Sequence, residues 1–551
     1  MSGLETSSIR YMISGARSLR DPTGPVGLLI AVAIAGTYIT LLFPAGFVTG
    51  DAPWWHAQRE DISQYLAGLN AFLAEPWNFP LLSVQSIVYP QGTNAIFLDV
   101  IPALALILKL FVPDTALPIN PYGAWLAASI TLQAVFGWLI LRTLQVRQWG
   151  ALIALSFFLV SFPALTHRLG HVSLTSHWLL LAGLLLYLRG WQETRLPLIS
   201  WSALLLIAFY INLYLTAMLI PLYAVSVLAV TPCRGQLRFA SKAALAFVPV
   251  AASTLVTILP LPGSSGAESW GFGYYSMNLL APLTGGYLLE IPGNPIAHGG
   301  QGEGFNYLGF GVILLFLLAV WRTCGSRWRI INQHRYLFIL CILLTLYALS
   351  SQIYFGETHI LTNRIFKPFE PITDIFRSSG RFFWLPGYTI ALFAVLAYAK
   401  RPDAHWVTPV FIGLALIQLV DLQNHHENVS SYLHRPAEAR GEIEIWDEHV
   451  PYDAEHLVFS PLFGCQDGPP TDLLAAMRFA IDEGMTINTG YVARHAPACN
   501  EGAASNIDQL GDNVVVFFDK DDYPKRSTAL TRFNHRDGTC DDGQSVWICT
   551  P

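Results

Sequence analysis

The stretch Val26-Gly27-Leu28-Leu29-Ile30-Ala31-Val32-Ala33-Ile34-Ala35-Gly36-Thr37-Tyr38-Ile39-Thr40-Leu41-Leu42-Phe43 runs on to Gly50-Asp51-Ala52-Pro53-Trp54-Trp55-His56. Its apolar part is about long enough to cross a bilayer as a helix. Arg10, Arg17 and Arg20 are the only basic residues before it, so the N-terminus is expected in the cytoplasm. The run is longer than the apolar core of a signal peptide and no small-residue cleavage site follows, so it reads as a retained anchor. A carboxylate, Asp51, then stands where the chain leaves the membrane on the far side.

The whole chain agrees with this beginning. Of its 551 residues 53% are apolar and 13% charged, against about a quarter charged in soluble domains. That excludes a soluble protein for most of the length, and 32 Phe, 22 Tyr and 16 Trp exclude disorder. A formal net charge of -6 argues against nucleic acid as a partner. Further apolar segments begin near Tyr122, Ala151, Ser173, Ile199, Leu213, Ala243, Leu308, Tyr336, Phe383 and Trp406. With the anchor they predict a mainly α membrane protein of about eleven transmembrane helices.

Loop charge tests that count, because Lys and Arg favour the cytoplasmic side. Arg142 with Arg147, Arg189 with Arg195, Arg234 with Arg238 and Lys242, Arg322 with Arg327, Arg329 and Arg335, and Lys400 with Arg401 fall at alternate loops. The intervening loops, the first of them 49–96, then face outward. The parity requires that segment 97–112, with Asp99, Pro102 and Lys109, be re-entrant or interfacial. Apolar spacing from Ile62 to Leu73 predicts a helix lying flat on the membrane within the first loop.

The expected organisation is a polytopic membrane domain over 1–422 and a small extracytoplasmic α/β domain over 423–551, with strands at Val514–Phe518 and Ser545–Ile548. Four of the seven cysteines, Cys465, Cys499, Cys540 and Cys549, fall in the latter. They fit two disulfides in an oxidising compartment, with three connectivities open. A zinc site is the competing reading, disfavoured because no CxxC pair accompanies them.

Three outward clusters can carry chemistry. Asp51 is either a reactive carboxylate at head-group depth or a local cap. His167-Arg168-Leu169-Gly170-His171, continuing to His177, offers three histidines and an arginine able to bind an anion, move protons or hold a metal. The third, from Asn363-Arg364 through Arg377-Ser378-Ser379-Gly380-Arg381, is the one outward segment with a local cationic excess. Arginine there suits bidentate phosphate recognition or head-group anchoring.

Taken together these features resemble the GT-C class of integral-membrane glycosyltransferases, to which protein O-mannosyltransferases and aminoarabinose transferases belong. Gly50-Asp51, Ile87-Val88-Tyr89-Pro90-Gln91-Gly92-Thr93-Asn94 with Asp99, Gly170-His171 through His177-Trp178, Gly304-Phe305-Asn306-Tyr307-Leu308-Gly309 and Ser379-Gly380-Arg381-Phe382 resemble an uncharacterised bacterial family placed near that class. The likeness spans roughly 44–387. It implies a bacterial inner-membrane enzyme transferring a sugar from a polyprenyl-phosphate donor to an extracytoplasmic acceptor with inversion. Asp51 would be the general base, and Arg168, Arg364, Arg377 and Arg381 would bind the donor phosphate. Asp99, His167, His171, His177, Trp54 and Trp55 are implied substrate contacts. The resemblance implies no particular cofactor, and a divalent metal is compatible with it. Competing expectations are a polytopic acyltransferase using the histidines and a transporter or flippase without covalent chemistry.

Overall fold

The computed structural model describes residues 21–57, 61–231, 236–261, 270–289, 296–399, 406–435, 440–466, 471–493, 499, 513–533 and 538–551. Arg10, Arg17, Arg20, Cys233, Arg234, Lys400 and Arg401, used above for topology and cysteine placement, lie outside them. The chain forms two compact units that interleave in sequence. One comprises Met1–Pro44, Ala124–Val248 and Ser269–Leu433, the other Ala45–Gly123, Pro249–Glu268 and His434–Pro551.

The first unit is a helical bundle. Among the described residues seven helices are long and apolar enough to cross a membrane, or nine if each of two bent pairs is one span. They begin with Pro25–Leu42, where Pro25 supplies a preset φ at the first helical position. Leu213–Val230 is started by Asn212, whose side chain accepts from Tyr214 N at 2.9 Å. Large apolar side chains such as Leu29, Leu41, Leu228, Leu317 and Trp321 are exposed on these helices, a surface that belongs in lipid. Two of the eleven expected segments come out shorter: Leu198–Phe209 has 12 residues and Arg335–Leu349 has 15. At 1.5 Å per residue the longer rises about 22 Å against a hydrocarbon core of about 30 Å.

The second unit is built on a five-stranded mixed sheet in the order Thr486–Ile487, His456–Ser460, Val514–Asp519, Val546–Thr550, Thr539–Gly543. The first three are parallel and the last two antiparallel to their neighbours. All six residues of Val514–Asp519 are buried, as expected of a central strand. The cysteines pair as Cys465–Cys499 and Cys540–Cys549. The second pair bridges directly opposite positions of the last hairpin.

The outward loop and the C-terminal residues, read separately from sequence, share this unit. Ser86–Tyr89 continues the sheet beyond Thr486–Ile487: Ile87 bridges Ile487 in parallel, Ile487 N donates to Ser86 O at 2.8 Å and Tyr89 N to Ile487 O at 2.9 Å. Glu75 fixes the approach, accepting from Gln85 N, Ser86 N and Ser86 Oγ. The helix Asp61–Ala74 does not lie open as a membrane-surface helix, since every residue from Ile62 to Leu73 is buried. It packs on Thr471–Asp482, and Gln64 Nε2 donates to Tyr491 O at 2.6 Å. Its apolar stripe was legible, but the stripe faces protein. Pro102–Phe111, within the segment expected to be re-entrant or interfacial, has ten residues and leaves Ile107, Leu110 and Phe111 exposed.

Ile87 is wholly buried where loop meets sheet. Ile87→Ala should destabilise this unit by about 2 to 5 kcal/mol, lowering the melting temperature of the detergent-solubilised protein and exposing 85–92 to protease. An unchanged melting curve would show that the added strand contributes nothing.

Candidate functional site

In the helical unit the ionisable residues gather where helices give way to loops. Arg168 lies in the turn after Pro163–Thr166, Glu303 in the short helical turn Gly299–Gly304, and Arg381 in Ser379–Phe383 ahead of Trp384–Ala399. Arg168 Nη1 donates to Glu303 Oε1 at 2.8 Å and its Nη2 to Gly302 O at 2.6 Å. Arg381 donates to Glu303 Oε2 from Nε at 2.9 Å and from Nη2 at 2.7 Å. One carboxylate thus binds two guanidinium forks, each oxygen serving one. Arg381 also covers the Tyr214 ring, 4.6 Å from its centroid.

The backbone brings these groups together through close glycine contact. A Cβ on Gly380 would meet Gly304 Cα at 2.5 Å, so the loops carrying Arg381 and Glu303 touch where only glycine fits. Asn306 ties them, its Nδ2 donating to Gly304 O at 3.0 Å and Gly380 O at 2.9 Å.

Electrostatics follow from the geometry. Burial acts to raise the Glu303 pKa, but the Arg381 and Arg168 guanidinium groups outweigh it and hold the carboxyl down at about 2. Burial, with the same two cations, lowers His171 to about 3. His171 is therefore neutral at ordinary pH beside a fixed carboxylate and two fixed cations.

The remaining predicted residues are dispersed. His167 packs on Phe305 at 4.4 Å between ring centroids. His177 is buried in a helical span, its Nδ1 bonded to Tyr388 Oη at 2.9 Å, to which Gln133 Nε2 donates at 2.6 Å. Arg377 is exposed and donates to Trp270 O at 3.2 Å, and Arg364 is exposed on the loop beyond Thr358–Thr362. Arg377 and Arg381 thus hold different partners.

Asp51 and Asp99 belong to the second unit, where both are exposed. Gly50, at φ 89°, is held by Asn120 Nδ2, and a Cβ there would meet Asn120 O at 2.7 Å. This fixes Asp51, whose Oδ2 accepts from Thr49 Oγ1 at 2.6 Å. Trp54 and Trp55 are buried, and the Trp55 indole donates to Phe47 O at 2.8 Å. Sequence reading overlooked Glu303 and a further group, Asp472, Asp519 and Asp521, whose ligand atoms lie within 4.8 Å of one another at the end of Val514–Asp519. Burial, together with Asp472, Asp521 and Asp522, raises Asp519 to about 6 despite the Asp521 N–H it accepts. Among the described residues this is the set of three or more such side chains spaced to hold a metal ion.

The fold is that of a polytopic helical membrane protein with an interleaved α/β unit. The chain belongs to the DUF6311 family, a domain of unknown function matched over residues 32–423, with the DUF6311 C-terminal domain matched over 445–551. No curated protein sequence matches it. Among solved structures it is similar to the oligosaccharyltransferase AglB of Archaeoglobus fulgidus in complex with an inhibitory peptide and a dolichol-phosphate. That likeness covers 92% of this chain and 71% of the other at 11% identity and a TM-score of 0.39.

Glu303 makes a pH prediction. Its folded pKa lies below the ordinary 4.5, so the stabilisation is fully present above about 4.5 and is lost as pH falls toward 2, on the order of 3 kcal/mol. Glu303→Gln should lower the melting temperature at neutral pH, with the gap to wild type closing in acid. A pH-independent gap would exclude the ion triplet as its source.

Proposed function

We propose that this protein is a membrane glycosyltransferase that moves a sugar from a polyprenyl-phosphate donor to an extracytoplasmic acceptor. The observation that carries the reading is the convergence of Arg168 and Arg381, from separate loops, on Glu303. Guanidinium forks held in place by a carboxylate are preset for phosphate, because little ordering is left when the anion arrives. Outside the cytoplasm nucleotide sugars are scarce, which favours a lipid-borne donor.

Asp51 is the general base in this reading. Its carboxylate takes the proton of the acceptor hydroxyl as that oxygen forms a bond to the anomeric carbon. The bond from that carbon to the phosphate oxygen breaks, the electron pair leaves with the lipid phosphate, and Arg168 and Arg381 stabilise the charge that grows there. A single displacement inverts the anomeric centre. Arg364 and Arg377, both exposed, are further candidates to bind the donor phosphate, and Asp99, His167, His171 and His177 are the remaining candidates for substrate contact. The aromatic pair Trp54 and Trp55 is buried and supports the loop. The reading includes eleven crossings, a cytoplasmic N-terminus, a bacterial inner-membrane location and an extracytoplasmic 423–551. Asp472, Asp519 and Asp521 are carboxylates spaced to hold a divalent metal.

Three variants test it with a synthetic polyprenyl-phosphate sugar. Asp51→Asn should bind donor normally and lose about 10²- to 10⁴-fold in transfer. Arg381→Lys keeps the charge but loses the fork, so donor affinity and single-turnover rate should both fall, and further in Arg381→Ala. Wild-type transfer by Asp51→Asn removes the base. Loss at the histidines with Asp51 dispensable would favour acyl transfer instead.

A further inference from the structure

The helix Arg335–Leu349 leads into a segment from which the transferase reading draws only Arg364. Gln352–Phe355 and Thr358–Thr362 form an antiparallel hairpin, followed by the short helices Lys367–Phe369 and Glu370–Ile375 before Ser379–Phe383. The hairpin is clamped to its unit. Asn278 Nδ2 donates to Gly356 O at 2.9 Å, Gly356 N returns a bond to Asn278 Oδ1 at 3.0 Å, and Leu279 N donates to Tyr354 O at 3.0 Å.

What this clamped segment presents is apolar. Phe355, Ile360, Leu361, Ile365, Phe369 and Ile372 are between 52% and 73% exposed. Six large apolar side chains left open within one short segment mark it as an interaction surface. Among them stand two exposed cations, Arg364 and Lys367, and three exposed carboxylates, Glu357, Glu370 and Asp374, so the apolar side chains and not net charge set the affinity of the segment for its partner.

Continuity says what covers it. Arg335–Leu349 exposes Phe338, Ile339, Ile342, Leu343 and Leu346, one apolar stripe at helical spacing. That stripe runs into the hairpin through Ser350 and Ser351. The helix rises only about 22 Å, short of the roughly 30 Å hydrocarbon core, so the chain beyond it is still at membrane depth. A two-stranded ribbon cannot lie in the hydrocarbon itself, because the outer edge of Thr358–Thr362 turns backbone polar groups away from its partner strand. It fits the interface, where side chains reach acyl chains, the backbone meets water and head groups, and Arg364 and Lys367 meet lipid phosphate.

We propose that residues 352–375 form a membrane-interface platform whose partner is the lipid surface, completing the short span Arg335–Leu349. This is independent of the transferase reading.

Single cysteines at Ile360, Ile365 and Phe369, labelled with a polarity-sensitive fluorophore, test it in a full-length chain whose Cys233, Cys324 and Cys341 are serine and whose two disulfides are intact. The protein is reconstituted into vesicles of phosphatidylethanolamine and phosphatidylglycerol. Tyr452→Cys, on a fully exposed residue of the α/β unit, serves as the reference. Emission at the three sites should be blue-shifted in vesicles and quenched several-fold more than the reference by lipids carrying a nitroxide near the head group. Iodide quenching like that of the reference, without lipid quenching, would overturn the proposal in favour of a water-facing surface. Shielding from both quenchers would overturn it in favour of a covering protein, such as a second copy. Because three sites are read separately, misfolding of one variant leaves the test intact.

Discussion

The carboxylate of Glu303 is where three remote parts of the helical unit are joined. Its partners lie 135 residues before it and 78 after it, each in a loop at the end of a different helix. Two guanidinium groups that are largely buried need a counter-charge near them, and one buried carboxylate needs its oxygens satisfied. Sharing meets both demands, and it fixes how the loop ends are arranged. Removing Glu303 would leave two cations facing each other, which costs more than the hydrogen bonds lost. The nearby histidine follows from this centre, since His171 is kept neutral by burial and by those same cations.

The α/β unit depends on a different constraint, the need to cover a mixed sheet whose central strand is parallel to one neighbour and buried. Val514–Asp519 is buried on both faces, so the sheet requires layers on either side and protection at its edge. Part of that cover comes from the first loop, far away in sequence. Asp61–Ala74 packs as a helix, and Ser86–Tyr89 pairs with the edge strand Thr486–Ile487. Asp51 is therefore carried by a loop anchored in a sheet, with Arg478 Nη1 donating to Trp55 O at 2.8 Å to hold the aromatic turn.

This explains which features were legible in the sequence. Apolar runs gave the long helices because a span needs length and little charge, both local properties. The same runs predicted spans where the helices Leu198–Phe209 and Arg335–Leu349 have only 12 and 15 residues. The stripe from Ile62 to Leu73 revealed a helix face, while lipid and protein offer that face the same chemistry. Four cysteines indicated two bonds, and the short polar stretch Asp541-Asp542-Gly543-Gln544-Ser545 between Cys540 and Cys549, whose turn falls at Gln544-Ser545, could have selected that pair as a hairpin bridge. Glu303 was missed because its partners have no sequence proximity. The available signal was a lone carboxylate among glycines, adjoining Gly304-Phe305-Asn306. Arg168 and Arg381 were picked out by residue type, and spacing grouped Arg377 with Arg381, whereas the two side chains hold different partners.

Charge is kept out of the long helices and concentrated at their ends, and this has a structural cost, since loops are the easiest parts of a fold to disorder. The helical unit meets that cost with polar clamps. Buried Asp421 accepts from Tyr307 Oη at 2.6 Å, Phe310 N at 2.9 Å and Leu288 N at 3.0 Å, fixing a loop to the start of the helix Phe310–Thr323. Asn306 bonds the carbonyls of Gly304 and Gly380, and Asn278 locks the turn at Gly356. Each clamp uses a side chain to satisfy backbone groups that a loop would otherwise leave to water. The Arg168–Glu303–Arg381 centre thus rests on loops with few alternative arrangements. A centre fixed in this way pays its ordering entropy during folding, so an anion meeting those guanidinium groups spends little of its binding energy on arranging them.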